Sequence, residues 1–246
     1  MHILKSVWKA VVERWQSIDV IDDEEEELFA SSEADYPHKT QCMLAPIEAE
    51  QCLHALNYIG VDPADFELRN TMFARPSHAL IHGIGHIYRT MIGCALLGEA
   101  LQRPREGLLA FCGAYIHDLA RETDGIEPDH GDKAADKYFM RFETIWTKYN
   151  LTNEERKQVC QAVAQHARRE WMTPKDEGYP VMAILKDADA LDRCRIGNLC
   201  PEWLRYTESH LLIRPIEYIY LRTMHVNTDI TLLHFMELID RSQLSK

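Results

Sequence analysis

The side chains in this sequence that are best suited to chemistry are histidines from the middle of the chain. The 246-residue chain has twelve histidines, and the central ones are His78, His82, His86, His117, His130 and His166. A His-Asp dipeptide, His117-Asp118, stands among them, and a later segment carries several carboxylates, Asp187, Asp189 and Asp192. Imidazole and carboxylate groups are typical ligands of borderline divalent metal ions. These residue types therefore suggest a metal site.

The sequence around these side chains supports that hypothesis. Residues 107–116, which precede His117-Asp118, are apolar on nearly every side, as expected of a central buried helix. His166 also comes late on an apolar helix. A buried ionisable group must be paired or bound. Each such residue alone is commonly a satisfied core or surface group, but together they would point from facing helices into the core of a bundle.

The composition limits the classes of protein and of partner. The chain has 27 Lys and Arg against 39 Asp and Glu, a formal charge of −12, and 46% of its residues are hydrophobic. This excludes a disordered or fibrous protein. The acidic balance argues against duplex nucleic acid as a partner, whereas a small phosphorylated substrate met by local basic groups remains possible.

Cysteine usage and hydropathy indicate the compartment. The chain has seven cysteines and no C-x-x-C pair, which argues against a disulfide scaffold or a zinc ribbon. Its longest apolar stretch, near Met91, is much shorter than the roughly 20 residues that cross a bilayer. We therefore expect a cytoplasmic protein with no membrane partner.

The elements that must position the candidate residues are almost all helices. Apolar residues recur at three- and four-residue steps, and Pro, Gly and capping signals mark the ends. We predict helices over 42–58, 76–101, 104–119, 128–148, 152–169, 179–195, 201–221 and 229–242. No strand longer than a few residues is expected. The predicted fold class is all-α.

The N-terminal part has two further features. Residues 3–18 form a predicted amphipathic helix that could lie on a membrane surface, pack on its own protein or contact a second subunit, so a homo-oligomer is possible. Residues 19–35 are rich in acidic residues and are interpreted as a solvated linker or helix edge. The expected domains are an extension over 1–75, a metal-binding core over 76–200 and C-terminal helices over 201–246.

The ordered candidate residues resemble the HD superfamily of metal-dependent phosphohydrolases. The resemblance rests on His86-x-x-Arg89, then His117-Asp118, His130, His166 and Ala188-Asp189, and covers about residues 76–197. It implies an HD-domain helical bundle with helical extensions at both ends. It also implies a first metal ion on His86, His117, Asp118 and Asp189, and a second on His130 and His166 with Asp118 as a bridge. Asp187 and Asp192 are the alternatives to Asp189.

The chemistry implied by the resemblance is hydrolysis of small phosphate mono- or diesters, with nucleotides as the expected substrates. One or two divalent transition metal ions, Mn, Fe, Co, Ni or Zn, would be the cofactor. Asp118, His130 and Lys186 are expected to take part in catalysis. Groups placed near the ligands in sequence are expected to bind the substrate, namely Arg89, His82, Arg121 and Arg168, although Arg168 could equally be a helix C-terminal cation.

Two alternatives share the same ligands. Some HD proteins resembling myo-inositol oxygenase use the order His, His-Asp, His, His and Asp to hold two irons and oxidise a C–H bond. The other alternative is an HD module that binds or regulates without catalysis. The sequence motifs of a G-x-S-x-G hydrolase, an H-E-x-x-H metalloprotease and a Walker A phosphate loop are all missing.

Overall fold

The computed structural model describes residues 47–75, 81–169 and 171–240. The predicted helix over 3–18, the acidic segment over 19–35 and His78 lie outside the described residues. The described residues belong to one compact unit, which begins at Pro46. The proposed division into extension, core and C-terminal helices stays a prediction.

The larger helices coincide with the predicted helical segments. They are α1 (Ala49–Tyr58), α2 (Ile84–Ala100), α3 (Pro104–Ile116), α4 (His130–Tyr138), α5 (Glu143–Lys148), α6 (Asn153–Gln165), α7 (Tyr179–Leu191), α8 (Thr207–Leu211), α9 (Ile213–Thr223) and α10 (Leu232–Asp240). Short 3₁₀ turns connect several of them. The predominance of helix confirms the all-α prediction.

Helices α2 and α3 form the centre of the bundle. Every residue from Ile84 to Glu99 is buried, as are Gly107 to Ile116 of α3. The two helices cross closely, because a Cβ built on Gly98 would lie 2.8 Å from the Cα of Gly107. Helix α1 packs on α2, while α7 packs on both central helices and on α6. The residues ahead of His117-Asp118 are thus in the buried helix that the sequence predicted.

The predicted helix over 128–148 is interrupted. Helix α4 ends at Tyr138, a 3₁₀ turn spans Phe139–Phe142, and α5 follows. The indole of Trp146 donates a hydrogen bond of 2.6 Å to the carbonyl of Phe139 and stacks on its ring. The indole N–H thus occupies a main-chain carbonyl at the point where the helix is interrupted.

The predicted helix over 201–221 is also divided, into a 3₁₀ turn and helices α8 and α9. Between the 3₁₀ turn and α8, the backbone N–H groups of Arg205 and Tyr206 donate to the carboxylate of Asp187 instead of to helical carbonyls. The guanidinium of Arg205 and the hydroxyl of Ser209 bond to the same carboxylate. The buried side chain of Asp187 therefore fixes an extended segment where the periodicity predicted continuous helix.

A short antiparallel ribbon joins distant parts of the chain. Strand β1 (Glu67–Leu68) pairs with β2 (Ile230–Thr231). The hydroxyl of Tyr88 accepts a hydrogen bond from the N–H of Leu68 and donates one to the carbonyl of Ile230. Such two-residue strands are too short for alternation to reveal them in a sequence. None of the described helices combines the length and hydropathy needed to span a membrane.

Candidate metal centre

Four buried imidazoles meet at the ends of four helices. His86 lies in the first turn of α2, His117 directly follows α3, His130 begins α4, and His166 directly follows α6. The Nε2 atoms of His86 and His117 are 3.1 Å apart, and those of His130 and His166 are 2.7 Å apart. The rings of His117 and His166 contact each other edge to face, with centroids 4.9 Å apart. The structure thus gathers the four histidines into one cluster.

Hydrogen bonds at Nδ1 fix the orientation of every ring. His117 and His166 donate from Nδ1 to the carbonyls of Ala114 and Val163, both over 2.7 Å. His130 donates in the same way to a carbonyl of the preceding turn, that of Glu127. A carbonyl can only accept, so Nδ1 holds a proton in each of these rings, and in the neutral form of such a ring Nε2 carries the lone pair.

The carboxylate of Asp118 lies between two histidine pairs. Its Oδ2 atom is 3.3 Å from Nε2 of His86 and 3.5 Å from Nε2 of His117. Its Oδ1 atom is 3.0 Å from Nε2 of His130 and 3.5 Å from Nε2 of His166. Each oxygen therefore faces one pair, which is the arrangement required of a carboxylate that bridges two cations.

Asp189 completes the cluster on the side of His86. Its Oδ1 atom lies 3.4 Å from Nε2 of His86, and its side chain is 24% exposed. The two alternative aspartates have other partners. Asp192 accepts from Nδ1 of His86 over 2.7 Å, on the opposite nitrogen of that ring, and Asp187 binds the segment at Arg205. Among the three carboxylates, Asp189 is therefore the one that faces the Nε2 atoms.

The donor set fits a divalent metal ion. Unprotonated Nε2 atoms that face each other at such short range repel through their lone pairs, and a cation between them removes that repulsion. His86, His117 and Asp189 form one group whose ligand atoms lie within 4.8 Å of one another, and His117, Asp118 and His166 form another. Mixed imidazole and carboxylate ligands suit borderline divalent transition metals.

Electrostatics keep the two candidate carboxylate ligands ionised. Burial by itself would raise the pKa of Asp118, but the adjacent His117 and hydrogen bonds with the other histidines hold that pKa well below its usual range. Asp189 behaves similarly, since burial opposes its ionisation while its neighbours His86 and His117 lower its pKa. Burial lowers the pKa of His117 to about 3. Both the carboxylates and this imidazole are thus held in the forms that ligate metals.

Two of the expected substrate-binding residues border the cluster. The Nδ1 atom of His82 forms a hydrogen bond of 3.0 Å with the carboxylate of Asp124. The ring centroid of His82 lies 5.8 Å from that of His86. Arg121 donates from Nε to Oδ1 of Asp118 over 3.0 Å, while Nη1 bonds the carbonyls of Thr123 and Gly125. Both side chains are mostly buried. Arg121 therefore orients a proposed ligand and orders the loop that carries Asp124.

Arg89 has a different place from the one expected. We expected a substrate contact, but its guanidinium is buried and paired with Asp192, Nε to Oδ1 over 2.5 Å and Nη2 to Oδ2 over 3.1 Å. Asp192 in turn bonds to Nδ1 of His86. The expected substrate contact of Arg89 is therefore replaced by a positioning role: Arg89 holds the carboxylate of Asp192, which orients the proposed ligand His86.

Lys186 also departs from expectation, and Arg168 pairs with nearby acids. The Nζ atom of Lys186 donates to the carbonyl of Gln165 over 3.2 Å and to that of Arg168 over 2.5 Å. Lys186 thus binds the C-terminal end of α6, and its expected role in catalysis is not supported by this placement. The side chain of Arg168 is 37% exposed and pairs with Asp129 and Asp132. These partners lie at the start of α4, and the proposed contact of Arg168 with a substrate stays a prediction.

The sequence did not reveal that two carboxylates, Asp192 and Asp124, are hydrogen-bond partners of histidines in the cluster and beside it. Asp192 was considered only as an alternative ligand, although it orients His86 through Nδ1. Asp124, the partner of His82, was not considered. The spacing of Asp192 after Asp189, three residues later, was a usable signal, because one helical turn separates them. Asp124 lies in a loop and offered none.

Comparison with protein families agrees with this geometry. The family model described as HD domain matches residues 83–194, which include all six proposed ligands. No curated protein and no solved structure matched the chain. The resemblance drawn from the ordered histidines and aspartates is confirmed over this segment, because residues 83–194 match the HD domain.

Proposed function

We propose that this protein is a metal-dependent phosphohydrolase that cleaves mono- or diesters of phosphate in small molecules, with nucleotides as the main substrate class. The position of Asp118 carries this proposal, because each of its oxygens faces its own histidine pair. The general activity of the HD family supports the same reaction class. No other cluster of this kind is found among the residues that the structure describes.

The proposed cofactor is one or two divalent transition metal ions, Mn, Fe, Co, Ni or Zn. His86, His117, Asp118 and Asp189 would hold the first ion. His130 and His166 would hold the second, together with Asp118. Bound there, such ions would polarise a phosphoryl oxygen and lower the pKa of water, which supplies a nucleophile near neutral pH.

The surrounding residues would keep the ligands in place. The main-chain carbonyls and Asp192 accept from Nδ1 of the histidines, which keeps each Nε2 atom aimed inwards. Arg121 holds one oxygen of Asp118. Lys186 ties α7, which carries Asp189, to the end of α6 beside His166. In this proposal Lys186 and Arg89 act on catalysis through the ligands they position.

His82 is the residue we propose to contact the substrate. Its Nδ1 atom is engaged with Asp124, which leaves Nε2 for a phosphoryl oxygen or the leaving oxygen. Its ring lies beside that of His86 and its side chain is 12% exposed, so it borders the cluster without being shut away from solvent. Arg121, which is 14% exposed, supplies positive charge on the same side of Asp118 as His130.

The test combines metal analysis with a substrate panel. Purified protein should contain a divalent transition metal and release phosphate from one or more nucleotides, and EDTA should remove both. His82→Ala should keep the metal content and lower kcat/KM by about 100-fold, within the range for a lost acid, base or substrate contact. The control is His234→Ala, which removes an exposed histidine paired with Glu237. A metal-free protein, or full activity in EDTA, would disprove the proposal.

One observation favours a second candidate. The complete set of histidines and aspartates, with Asp118 between two pairs, also fits a di-iron oxygenase of the myo-inositol oxygenase type. That activity predicts two irons per chain, a mixed-valent electron paramagnetic resonance signal and oxygen consumption with a polyol, without phosphate release. Stoichiometric binding without turnover would indicate an HD module that acts only by binding.

The remaining expectations on partners stay predictions. They are a small phosphorylated substrate, no duplex nucleic acid, no membrane association, a cytoplasmic location and a possible homo-oligomer. The acidic balance of the sequence supports the exclusion of duplex nucleic acid. Size-exclusion chromatography with light scattering measures the oligomeric state.

A further inference from the structure

The candidate metal centre has two halves, which differ in the charge of the groups beside them. The first half consists of His86, His117, Asp189 and Oδ2 of Asp118, and the second half of His130, His166 and Oδ1 of Asp118. In the first half, Nε2 of His86 lies 3.3 Å from Asp118 and 3.4 Å from Asp189, so two carboxylates face it. Among the described residues, the carboxylate that pairs with His130 and His166 is that of Asp118 alone. The second half therefore has less negative charge of its own.

A guanidinium group lies beside the second half. Arg121 donates from Nε to Oδ1 of Asp118 over 3.0 Å, and the same oxygen lies 3.0 Å from Nε2 of His130. The side chain is mostly buried, and its Nη1 atom donates to the carbonyls of Thr123 and Gly125, so these bonds hold the charge in place. A guanidinium stays charged at physiological pH. A divalent ion in the second half would therefore lie close to a fixed positive charge and share a carboxylate oxygen with it.

The outer partners of the imidazoles also differ between the halves. The Nδ1 atom of His86, in the first half, is hydrogen-bonded to the carboxylate of Asp192. Both rings of the second half donate to neutral main-chain carbonyls, those of Glu127 and Val163. A carboxylate behind a metal-bound imidazole increases the basicity of that ligand. The buried pair with Arg89 offsets part of the charge of Asp192, so this difference is smaller than the one made by the guanidinium beside the second half.

The spacing of the imidazole nitrogens favours the first half as well. Two nitrogen ligands that are each about 2.1 Å from an ion, and at right angles to one another, lie about 3.0 Å apart. The Nε2 atoms of His86 and His117 are 3.1 Å apart, which matches this spacing. Those of His130 and His166 are 2.7 Å apart, so they must separate before both can bind one ion. The first half is therefore closer to the geometry of a metal site.

We propose that the two halves bind metal with unequal affinity and that the charge of Arg121 sets the difference. The first half binds an ion tightly. The second half binds another only at a higher metal concentration, because Arg121 repels a cation on the Oδ1 side of Asp118. Arg121 thus determines whether the protein holds one ion or two. This rests on the metal centre of the proposed function but not on the hydrolysis of any substrate.

The test is a calorimetric titration of the full chain, freed of metal, with Mn²⁺ at neutral pH. We expect one tight site per chain and a second site at least about tenfold weaker. Arg121→Gln removes the charge but keeps an N–H donor for Asp118, so it should tighten the second site at least about tenfold and leave the first nearly unchanged. Arg121→Lys keeps the charge and should leave the second site weak.

The sign of the change separates charge from structure. If Arg121 only oriented Asp118, its replacement by Gln would weaken the second site. An unchanged or weaker second site in Arg121→Gln would therefore overturn the proposal, as would equal effects of Arg121→Gln and Arg121→Lys. A second site that is measurable only in Arg121→Gln would support it.

Matched variants assign the two affinities. Asp189→Asn should weaken the tight site, and His166→Gln should weaken the other. Arg168→Gln is the control for Arg121→Gln, since it also removes an arginine near α4, but one that pairs with exposed carboxylates at the start of that helix. It should leave both affinities within about twofold of the wild-type values. Loss of the tight site in His166→Gln, or two equal affinities in the wild-type protein, would contradict the assignment.

Metal binding and hydrolysis are measured separately. Two unequal Mn²⁺ sites that respond to Arg121→Gln would support the proposed difference between the halves even if no phosphate ester were cleaved. Hydrolysis by a protein whose Mn²⁺ affinity does not change in Arg121→Gln would support the proposed function and overturn this difference. Absence of any bound Mn²⁺ would overturn both.

Discussion

Asp192 accepts a hydrogen bond from Nδ1 of His86 over 2.7 Å and so joins the residue after α7 to the first turn of α2. We predict that Asp192→Asn lowers the affinity for the metal about 10- to 100-fold, the usual effect of losing the outer partner of a metal-bound histidine. The weaker acceptor holds the tautomer less firmly, and Arg89 loses its charged partner. A metal titration by calorimetry measures the change.

The control for this variant is Asp187→Asn. Asp187 is also a buried carboxylate on α7 and also pairs with an arginine, Arg205, but it does not contact a proposed ligand. Its loss should lower the melting temperature and leave the metal affinity of the folded protein nearly unchanged. Equal losses of affinity in the two variants would show that Asp192 acts only through general stability.

Asp118→Ala should remove metal binding and turnover together. The variant loses the carboxylate that faces both histidine pairs, so affinity should fall by more than the roughly 100-fold expected for an outer partner. The helical circular dichroism signal should stay the same, because Asp118 follows α3 and contributes no apolar packing. Glu122→Ala is the control, since Glu122 is an exposed acid in the same loop. Full activity in Asp118→Ala would refute the assigned centre.

Gly131→Ala should destabilise the contact between α4 and α6. A Cβ at this position would lie 2.5 Å from the carbonyl of Val163 and 3.2 Å from Nδ1 of His166. We expect a loss of about 1–3 kcal/mol in the free energy of unfolding, the usual cost of overpacking. Urea denaturation gives this value. Gly125→Ala, whose Cβ would meet only the hydroxyl of Thr123 at 3.6 Å, should lose nothing.

Metal stoichiometry adds a second measurement on Gly131→Ala. His130 and His166 approach each other next to Gly131, so a shift of α4 should separate their Nε2 atoms. If the wild-type protein binds two ions, the variant should keep the one held by His86, His117 and Asp189. Retention of both ions with unchanged stability would mean that the close approach of α4 is not required.

The pair of Arg105 and Glu155 should make stability depend on acid pH. Arg105 donates from Nε over 2.6 Å and from Nη2 over 2.7 Å to the two oxygens of Glu155. The hydrogen bond from Arg105 lowers the pKa of Glu155 from 4.5 to about 2. A lowered pKa in the folded state stabilises the fold above pH 4.5, and this contribution disappears as the pH falls through about 2.

Glu155→Gln should therefore cost about 1 kcal/mol at pH 7, a modest value because Arg105 is 40% exposed and the pair is partly screened. The difference from the wild-type protein should shrink as the pH falls from 4.5 towards 2. Thermal denaturation across this range measures it. Glu154→Gln, which breaks an exposed pair with Lys157, is the control and should have almost no effect. A difference that is constant with pH would refute the ionic contribution.

The ligand cluster could be predicted from the sequence because its four histidines lie at helix ends. His117 follows the buried helix α3, and His166 follows α6, whose buried face includes Val159, Ala162 and Val163. Burial of these helix ends also buries the imidazoles, and each Nδ1 atom finds its acceptor locally. The carbonyls that orient these two rings lie only three residues earlier, at Ala114 and Val163. Local geometry of this kind can be inferred without knowing how the helices pack.

The cations could not be assigned in the same way. Arg89 follows His86 by three residues, yet a carboxylate from another helix, Asp192, captures it. Lys186 precedes Asp189 by one turn, yet it turns to the carbonyls at the end of α6. Proximity in sequence places a cation near the centre, but competition among distant acceptors decides which of them remains available to a substrate.

The four donors that converge on Asp187 have a consequence for any attempt to shorten or transplant the domain. The HD family match ends at residue 194, but the groups that neutralise this carboxylate come from Arg205, Tyr206 and Ser209. A fragment that ends at residue 194 would leave the buried carboxylate of Asp187 on α7 without these partners. A graft of the HD domain into another protein should therefore include the residues up to Ser209.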